Sequence, residues 1–501
     1  MTTAILENAR TALSALLARR PPDAQHDVVL FFSLSLKRAR ARTWTVSAAA
    51  FDEAWETGAA LVERASAEAG EQDIWLRVDA VDEVRKLDWS AARARIAQSK
   101  RTYFRQGIVF GGDFASALLE QEINANGILF DPAKNEATPN AGALRDYSRE
   151  RFGRTLQWPV EAQEPLWLFT TRAVFADSLA THEIVSAGRN SGYRNIEWSV
   201  EAVDAAIVSA SAYLADQVQQ DGRYRYGWLP IEDAVIPSYN ALRHASSTYA
   251  LLEAWEFTRD PAQEAAIRAA LAHLAGQLIK QVTLPGGVEA AFLVDVGNEI
   301  KLGGNAVCLL AFVKYAQLTG DGRYAALLEK LALGVLHMQR PDGRFVHVLN
   351  FPDLTLKQEQ RIIYYDGEAA FGLMRLYALT SDPRWLEAVV RAFDHFIEAE
   401  HWKAHDHWLS YCVNELTLFR PDARYFRFGL DNVRGYLDFV LERVTTFPTL
   451  LELMMAARLM IDRIRADDQH AHLLDGFDLE KFDRALEHRA RYLLNGFFWP
   501  E

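Results

Sequence analysis

The residues best suited to chemistry in this sequence recur at one stride. His244, Asn305 and Asp366 lie 61 residues apart in succession, and each opens a long apolar stretch. Their surroundings are rich in proton carriers and hydrogen-bonding groups: Ser238-Tyr239-Asn240-Ala241-Leu242-Arg243-His244, Gly303-Gly304-Asn305 and Tyr364-Tyr365-Asp366-Gly367-Glu368. Histidine, tyrosine and carboxylic acids carry out general acid–base work, and a guanidinium grips a carboxylate at two points. A helix cap accounts for one Asn or Asp, and a satisfied core position accounts for one His. The conjunction points to a site. Tyr239, His244, Tyr365, Asp366 and Glu368 are therefore candidate catalytic residues, with Asn240, Arg243 and Asn305 as candidate substrate contacts. His405-Asp406-His407-Trp408 opens another such stretch. Two histidines at i, i+2 are weak evidence for metal ligation, so a hydrogen-bonded loop is the favoured reading. His405, His407 and Trp408 join the substrate contacts, and no metal is expected.

These residue types suit a polyhydroxylated ligand. Aromatic faces pack on the C–H faces of sugars, while Asp, Asn and Arg meet hydroxyls or a uronate carboxylate. Trp228 and Phe345, each following an Asp-Gly-Arg turn segment, are available for stacking or for covering the core. Two reactions stay open. Glycoside cleavage needs two carboxyls across the bond. Asp366 and Glu368 are adjacent in sequence but do not face each other at i, i+2 on a helix, so Asp366 with Glu232 or Asp406 is equally available. Epimerisation beside a carboxylate needs a base, an acid and a cation, for which His244, Tyr239, Tyr365 and Arg243 are suited. No cofactor is expected: Gly111-Gly112-Asp113 lacks the lysine and the glycine spacing of a phosphate loop.

The elements that must position these residues follow the same stride. Thr258-Arg259-Asp260, Thr319-Gly320-Asp321 and Thr380-Ser381-Asp382 recur 61 residues apart, each predicting a tight turn between two helices. Such a period marks a repeat architecture. Six segments apolar almost all round (roughly 166–181, 238–257, 303–318, 364–379, 408–419 and 446–463) alternate with six amphipathic ones (roughly 199–218, 261–280, 322–339, 383–400, 422–442 and 479–495). Helices apolar all round are buried and one-sided helices face solvent. The expectation is a mainly α chain, an (α/α)6 toroid over residues 166–501 behind a mixed α/β domain over 1–165. In that first domain Val28–Leu36, Trp44–Ser47, Ile74–Val78, Gly107–Phe110 and Leu166–Thr171 read as strands.

The bulk numbers exclude some partners. The 501 residues carry a formal net charge of −13, and the one short basic run is Lys37-Arg38-Ala39-Arg40-Ala41-Arg42, which argues against nucleic acid. Two cysteines, Cys308 and Cys412, sit in apolar stretches and read as buried free thiols of a reducing compartment. Residues 1–20 read as an amphipathic helix and not an export signal, and no long apolar stretch spans a membrane. A cytoplasmic protein acting on a carbohydrate is expected; oligomeric state is not legible.

The Tyr239–His244 stretch followed by the Thr-x-Asp turns resembles the helical domain of D-glucuronyl C5-epimerase-like proteins, and is similar to the wider (α/α)6 group of N-acylglucosamine 2-epimerases and unsaturated glucuronyl hydrolases. The resemblance covers about residues 190–500. It implies a sugar or uronic-acid substrate in a central funnel, an epimerase-like reaction with a hydrolase or lyase as the alternative, and proton transfer by Tyr239, Tyr365 and Glu368. A non-catalytic carbohydrate- or protein-binding scaffold is the rival of a different class.

Overall fold

The computed structural model describes residues 1–19, 27–36, 40–99, 103–131, 133, 136–186, 192–194, 196–229, 234–443 and 448–494. The chain divides into two compact units. The first comprises the described residues of Met1–Glu197 with Trp228–Leu229 and Ala234; the second comprises those of Trp198–Gly227 and Val235–Leu494.

The first unit runs α1 (Thr2–Arg19), β1 (Val28–Ser35), β2 (Arg42–Ala48), α2 (Phe51–Ala69), β3 (Trp75–Asp88), α3 (Trp89–Ala97), β4 (Gly107–Val109), β5 (Ala117–Leu118), α4 (Glu120–Ala125), α5 (Ala141–Phe152), β6 (Pro165–Ala176) and β7 (Thr181–Ile184). Its strands form an antiparallel sheet of order β2-β1-β3-β6-β4-β5, with β7 beside β6. Alternation along β1 decides the two faces. Leu30, Phe32 and Leu34 pack into a core with Leu6 and Leu13 of α1 and Trp55 and Val62 of α2, while Val29 and Phe31 join Val109 and Phe169 on the opposite face.

The second unit is helical: α6 (Val200–Asp216), then α7 (Ala241–Thr258) and α8 (Pro261–His273); between α6 and α7 the chain passes through the two-residue strands β8 (Trp228–Leu229, of the first unit) and β9 (Ala234–Val235). Strands β10 (Ile279–Thr283), β11 (Glu289–Asp295) and β12 (Glu299–Lys301) precede α9 (Leu302–Thr319) and α10 (Ala325–His337); β13 (Val348–Asn350) and β14 (Leu356–Gln358) precede α11 (Tyr364–Thr380) and α12 (Pro383–Glu398). Then come α13 (His407–Phe419), α14 (Ala423–Arg434), α15 (Leu437–Glu442), α16 (Pro448–Ala466) and α17 (Leu479–Arg491). The inner helices pack in sequence, α7 on α9, α9 on α11, α11 on α13 and α13 on α16, each backed by an outer helix. The fold class is therefore mainly α, an α/α toroid type of helical unit with an N-terminal sheet region.

Two features depart from the sequence reading. The inner helices number five among the described residues, because 166–181, the first expected inner helix, is strand β6 and its turn. The β-branched and aromatic content of Pro165–Ala176 wins over its apolar run. An antiparallel sheet of order β10-β11-β12-β13-β14 is also inserted before α9 and α11; α8 runs on as a π-helical turn over Leu274–Leu278, so the expected helix 261–280 gives way to β10 at Ile279.

The Thr-x-Asp turn has a local cause. Residue x ends its inner helix in the left-handed conformation: Arg259 at φ 51°, Gly320 at 67°, Ser381 at 58°. The threonine hydroxyl accepts from the aspartate N–H in all three copies. The aspartate carboxylate then accepts from the N–H two residues on, Ala262, Arg323 and Arg384. One tripeptide thus stops one helix and starts the next.

Candidate active site

Each expected site residue has a definite place. His244 is buried between α7 and α8. Its Nε2–H donates to Ala270 O at 3.0 Å and its Nδ1 accepts from the Tyr239 hydroxyl at 2.6 Å. Burial lowers its pKa to about 4, so it is a neutral, satisfied histidine. Asn305 clamps the rim sheet: Oδ1 accepts from Leu293 N at 2.7 Å and Nδ2 donates to Lys301 O at 2.8 Å. Asp366 accepts from His347 Nε2 at 3.1 Å, and His347 Nδ1 accepts from Arg361 N at 2.8 Å. All three occupy equivalent rungs, and each bonds to a different partner: Ala270, Leu293 with Lys301, and His347.

The other expected residues have places of their own. Asn240 caps α7, accepting from Arg243 N at 2.9 Å, and the Arg243 residue is exposed. His405 stacks on Tyr436 at 4.3 Å and donates to Asn432 O at 2.8 Å. Phe345 is buried in the core. Trp228, 53% exposed, belongs to the first unit. Glu232 lies outside the described residues, as does part of the basic run, residues 37–39.

Tyr365, Glu368, His407 and Trp408 lie at the first turns of α11 and α13. The Glu368 carboxyl sits in a notch left by Gly303 of α9, where any Cβ would overlap its Oε2 and crowd the Tyr365 ring. It is buried, and Oε2 has no hydrogen-bond partner. Burial, and then the nearby Asp406 charge, hold its pKa well above the carboxylate range. Asp406 caps α13 through Trp408 N and Leu409 N; burial raises its pKa against the opposing pull of His407. His407 lies 3.3 Å from Asp406 and 3.6 Å from Glu452 of α16, and burial raises the Glu452 pKa as well. Tyr364 meets the His407 ring edge-on at 5.5 Å. The nearby cations are committed: Lys301 to Asp295 at 2.7 Å and Glu299 at 3.3 Å, Arg361 to Glu299 at 3.1 Å.

A second polar set lines the same inner helices further along. Lys314 of α9 bridges Glu253 and Glu256 of α7 at 2.9 and 2.7 Å, and Arg375 of α11 lies 2.7 Å from Glu415 of α13. The Arg375 approach is not aligned as a hydrogen bond, which fits a Glu415 pKa raised by burial to about 7 despite the guanidinium. Phe371 stacks on Tyr411 at 5.4 Å, and the Tyr249 phenol feels the charges of Glu253 and Arg375. The sequence reading missed this set although its signal was present. Glu253, Lys314 and Arg375 are also 61 residues apart, charges at equivalent places in successive inner helices.

No family model matches the sequence, and no curated protein matches it. Solved structures similar in shape include a D-mannose isomerase (10% identity, 59% of this chain and 87% of that one, TM-score 0.46). A cellobiose 2-epimerase from Bacillus thermoamylovorans B4167 gives 11% identity over 58% of this chain and 86% of its own, TM-score 0.46. A family 76 glycoside hydrolase from a bovine Bacteroides thetaiotaomicron strain gives 10%, 87%, 94% and 0.36. At such distances the site is read from the chain's own geometry. Among the described residues no helix is long and apolar enough to cross a membrane, and no group of three or more His, Cys, Asp or Glu is arranged to hold a metal ion.

Proposed function

We propose that the helical unit is a sugar-active enzyme that works by moving a proton, epimerase- or isomerase-like, with Glu368 as the carrier. The observation that carries this is the buried, unpartnered Glu368 oxygen in the Gly303 notch. A buried polar atom without a partner costs stability and calls for a function. A carboxyl held up in pKa by burial donates a proton near neutral pH and takes it back as the base. His407, between Asp406 and Glu452, supplies a second titratable group, and Tyr365 borders the same carboxyl. Because Lys301 and Arg361 are already paired, a neutral sugar is favoured over a uronic acid.

Glu452, a second carboxyl raised by burial, supports glycoside hydrolysis as the alternative. One experiment separates the readings: incubation in deuterated water with mannose, glucose, cellobiose, N-acetylglucosamine, glucuronic acid and short mannan and glucan chains. Deuterium at the carbon beside the carbonyl marks epimerisation or isomerisation; new reducing ends without carbon-bound deuterium mark hydrolysis. Glu368→Gln loses about 10²-fold or more of either activity. Unchanged turnover in that variant removes Glu368 from the chemistry, and no turnover of any substrate favours the scaffold.

A further inference from the structure

The first unit holds a separate groove. On the sheet face opposite α1 and α2, a cavity of about 710 Å³ is lined entirely by residues of that unit. Its size falls within the range of small-molecule sites. Strand pairing builds it. Val29 of β1 faces Ser47 of β2, and Thr45 stands one pleat further along. Trp167 of β6 pairs with Lys86 of β3 on one side and with Val109 of β4 on the other. Trp167 and Phe114 are only half-buried. Gly112, at φ 79°, passes so close to the indole that a Cβ would stand 3.1 Å from it. The Lys86 ammonium lies 5.3 Å from the indole centroid. Hydroxyls of Thr45 and Ser47, together with Asp27 and Asp113, complete the lining.

We infer that this groove binds a saccharide chain. An aromatic and aliphatic floor takes the C–H face of a sugar ring, while hydroxyls and carboxylates at the edge take its hydroxyl groups. Two carboxylates against one ammonium give no basic surface for a polyanion and no long apolar track for a helix. The site lies in a different unit from Glu368 and binds without reacting.

The test is affinity electrophoresis of the full chain in native gels containing α-mannan, laminarin, xylan or hydroxyethylcellulose. Wild type and Glu368→Gln are retarded alike by at least one of these polymers. Trp167→Ala weakens the retardation about tenfold, the scale of one lost aromatic contact. Ser47→Trp, at an exposed position, fills the groove without removing the ring, so its loss of retardation is not a folding defect. Retardation by none of the polymers overturns the inference. So does retardation that survives both groove variants, or that is lost in Glu368→Gln alone, which assigns the binding to the helical unit.

Discussion

At the scale of single residues, the proposed proton carrier is Glu368, and its raised pKa has a stability consequence of fixed sign. An unfolded glutamate titrates near about 4.3, while the folded carboxyl titrates higher because it is buried. Below the unfolded value both states are protonated and the shifted pKa adds no cost of its own. Above it the unfolded chain releases its proton first, so stability falls with rising pH until the folded carboxyl also ionises. Glu368→Gln should therefore melt like wild type near pH 4 and be more stable at pH 7–8, by on the order of 1–3 kcal/mol. Parallel melting curves from pH 4 to 8 would show that the carboxyl is not held protonated. The sequence made Glu368, Tyr365, His407 and Trp408 legible because they flank turns that start apolar helices. His244, Asn305 and Asp366 share a stride but point away from the second polar set for a geometric reason. Glu253, Lys314 and Arg375 each follow those residues by nine positions, two and a half turns at 3.6 residues per turn. The two sets therefore lie on opposite faces of the same helices. A stride identifies equivalent rungs, not the face that looks inward.

At the scale of elements, the Thr-x-Asp turn makes a clean test. No atom lies within 4 Å of a Cβ added at Gly320, so Gly320→Ala probes backbone conformation alone. It should cost about 1 kcal/mol, and Ser381→Gly should be neutral or stabilising by a similar margin at most; denaturant midpoints with unchanged slopes measure both. Equal effects at the two positions would refute the left-handed stop as the cause of the repeat. Gly303 differs, since its missing side chain makes the Glu368 notch. Gly303→Ala should keep its helical circular dichroism and lose activity as fully as Glu368→Gln; retained activity would show that the notch is dispensable. The helical hairpins were legible because capping chemistry is local. The rim sheet was not: strands such as Glu299–Lys301 and Val348–Asn350 are three residues long, too short to show a period, and are fixed by pairing with distant strands. Strand β6 was legible in its aromatic and β-branched start, yet its apolar length also fitted a buried helix.

At the scale of the whole chain, the inner helices of the helical unit pack as a sequential series: among the described residues α16 makes no packing with α7 comparable to that between successive inner helices. Sequential packing leaves the interior charges to tie helices together, Lys314 joining α9 to α7 and Arg375 joining α11 to α13. The second pair is the more exposed to a change of pH. The Glu415 carboxyl titrates at about 7 because burial outweighs Arg375. At pH 5 it is neutral in the folded chain, and Arg375 faces no charge on Glu415. At pH 8.5 it is an anion that depends on the guanidinium. Arg375→Met removes that partner and keeps most of the side-chain bulk. The variant should therefore lose little stability at pH 5 and more at pH 8.5, though less than the roughly 3 kcal/mol of a buried charge left alone, because Lys314 and Arg463 still act on Glu415. As the Glu415 pKa moves further up, the loss widens through neutrality instead of appearing at once. Thermal melts of both proteins from pH 5 to 8.5 measure the difference. An equal loss at both ends would mean that Arg375 serves through its packing over Phe371, 5.0 Å away, and not through its charge.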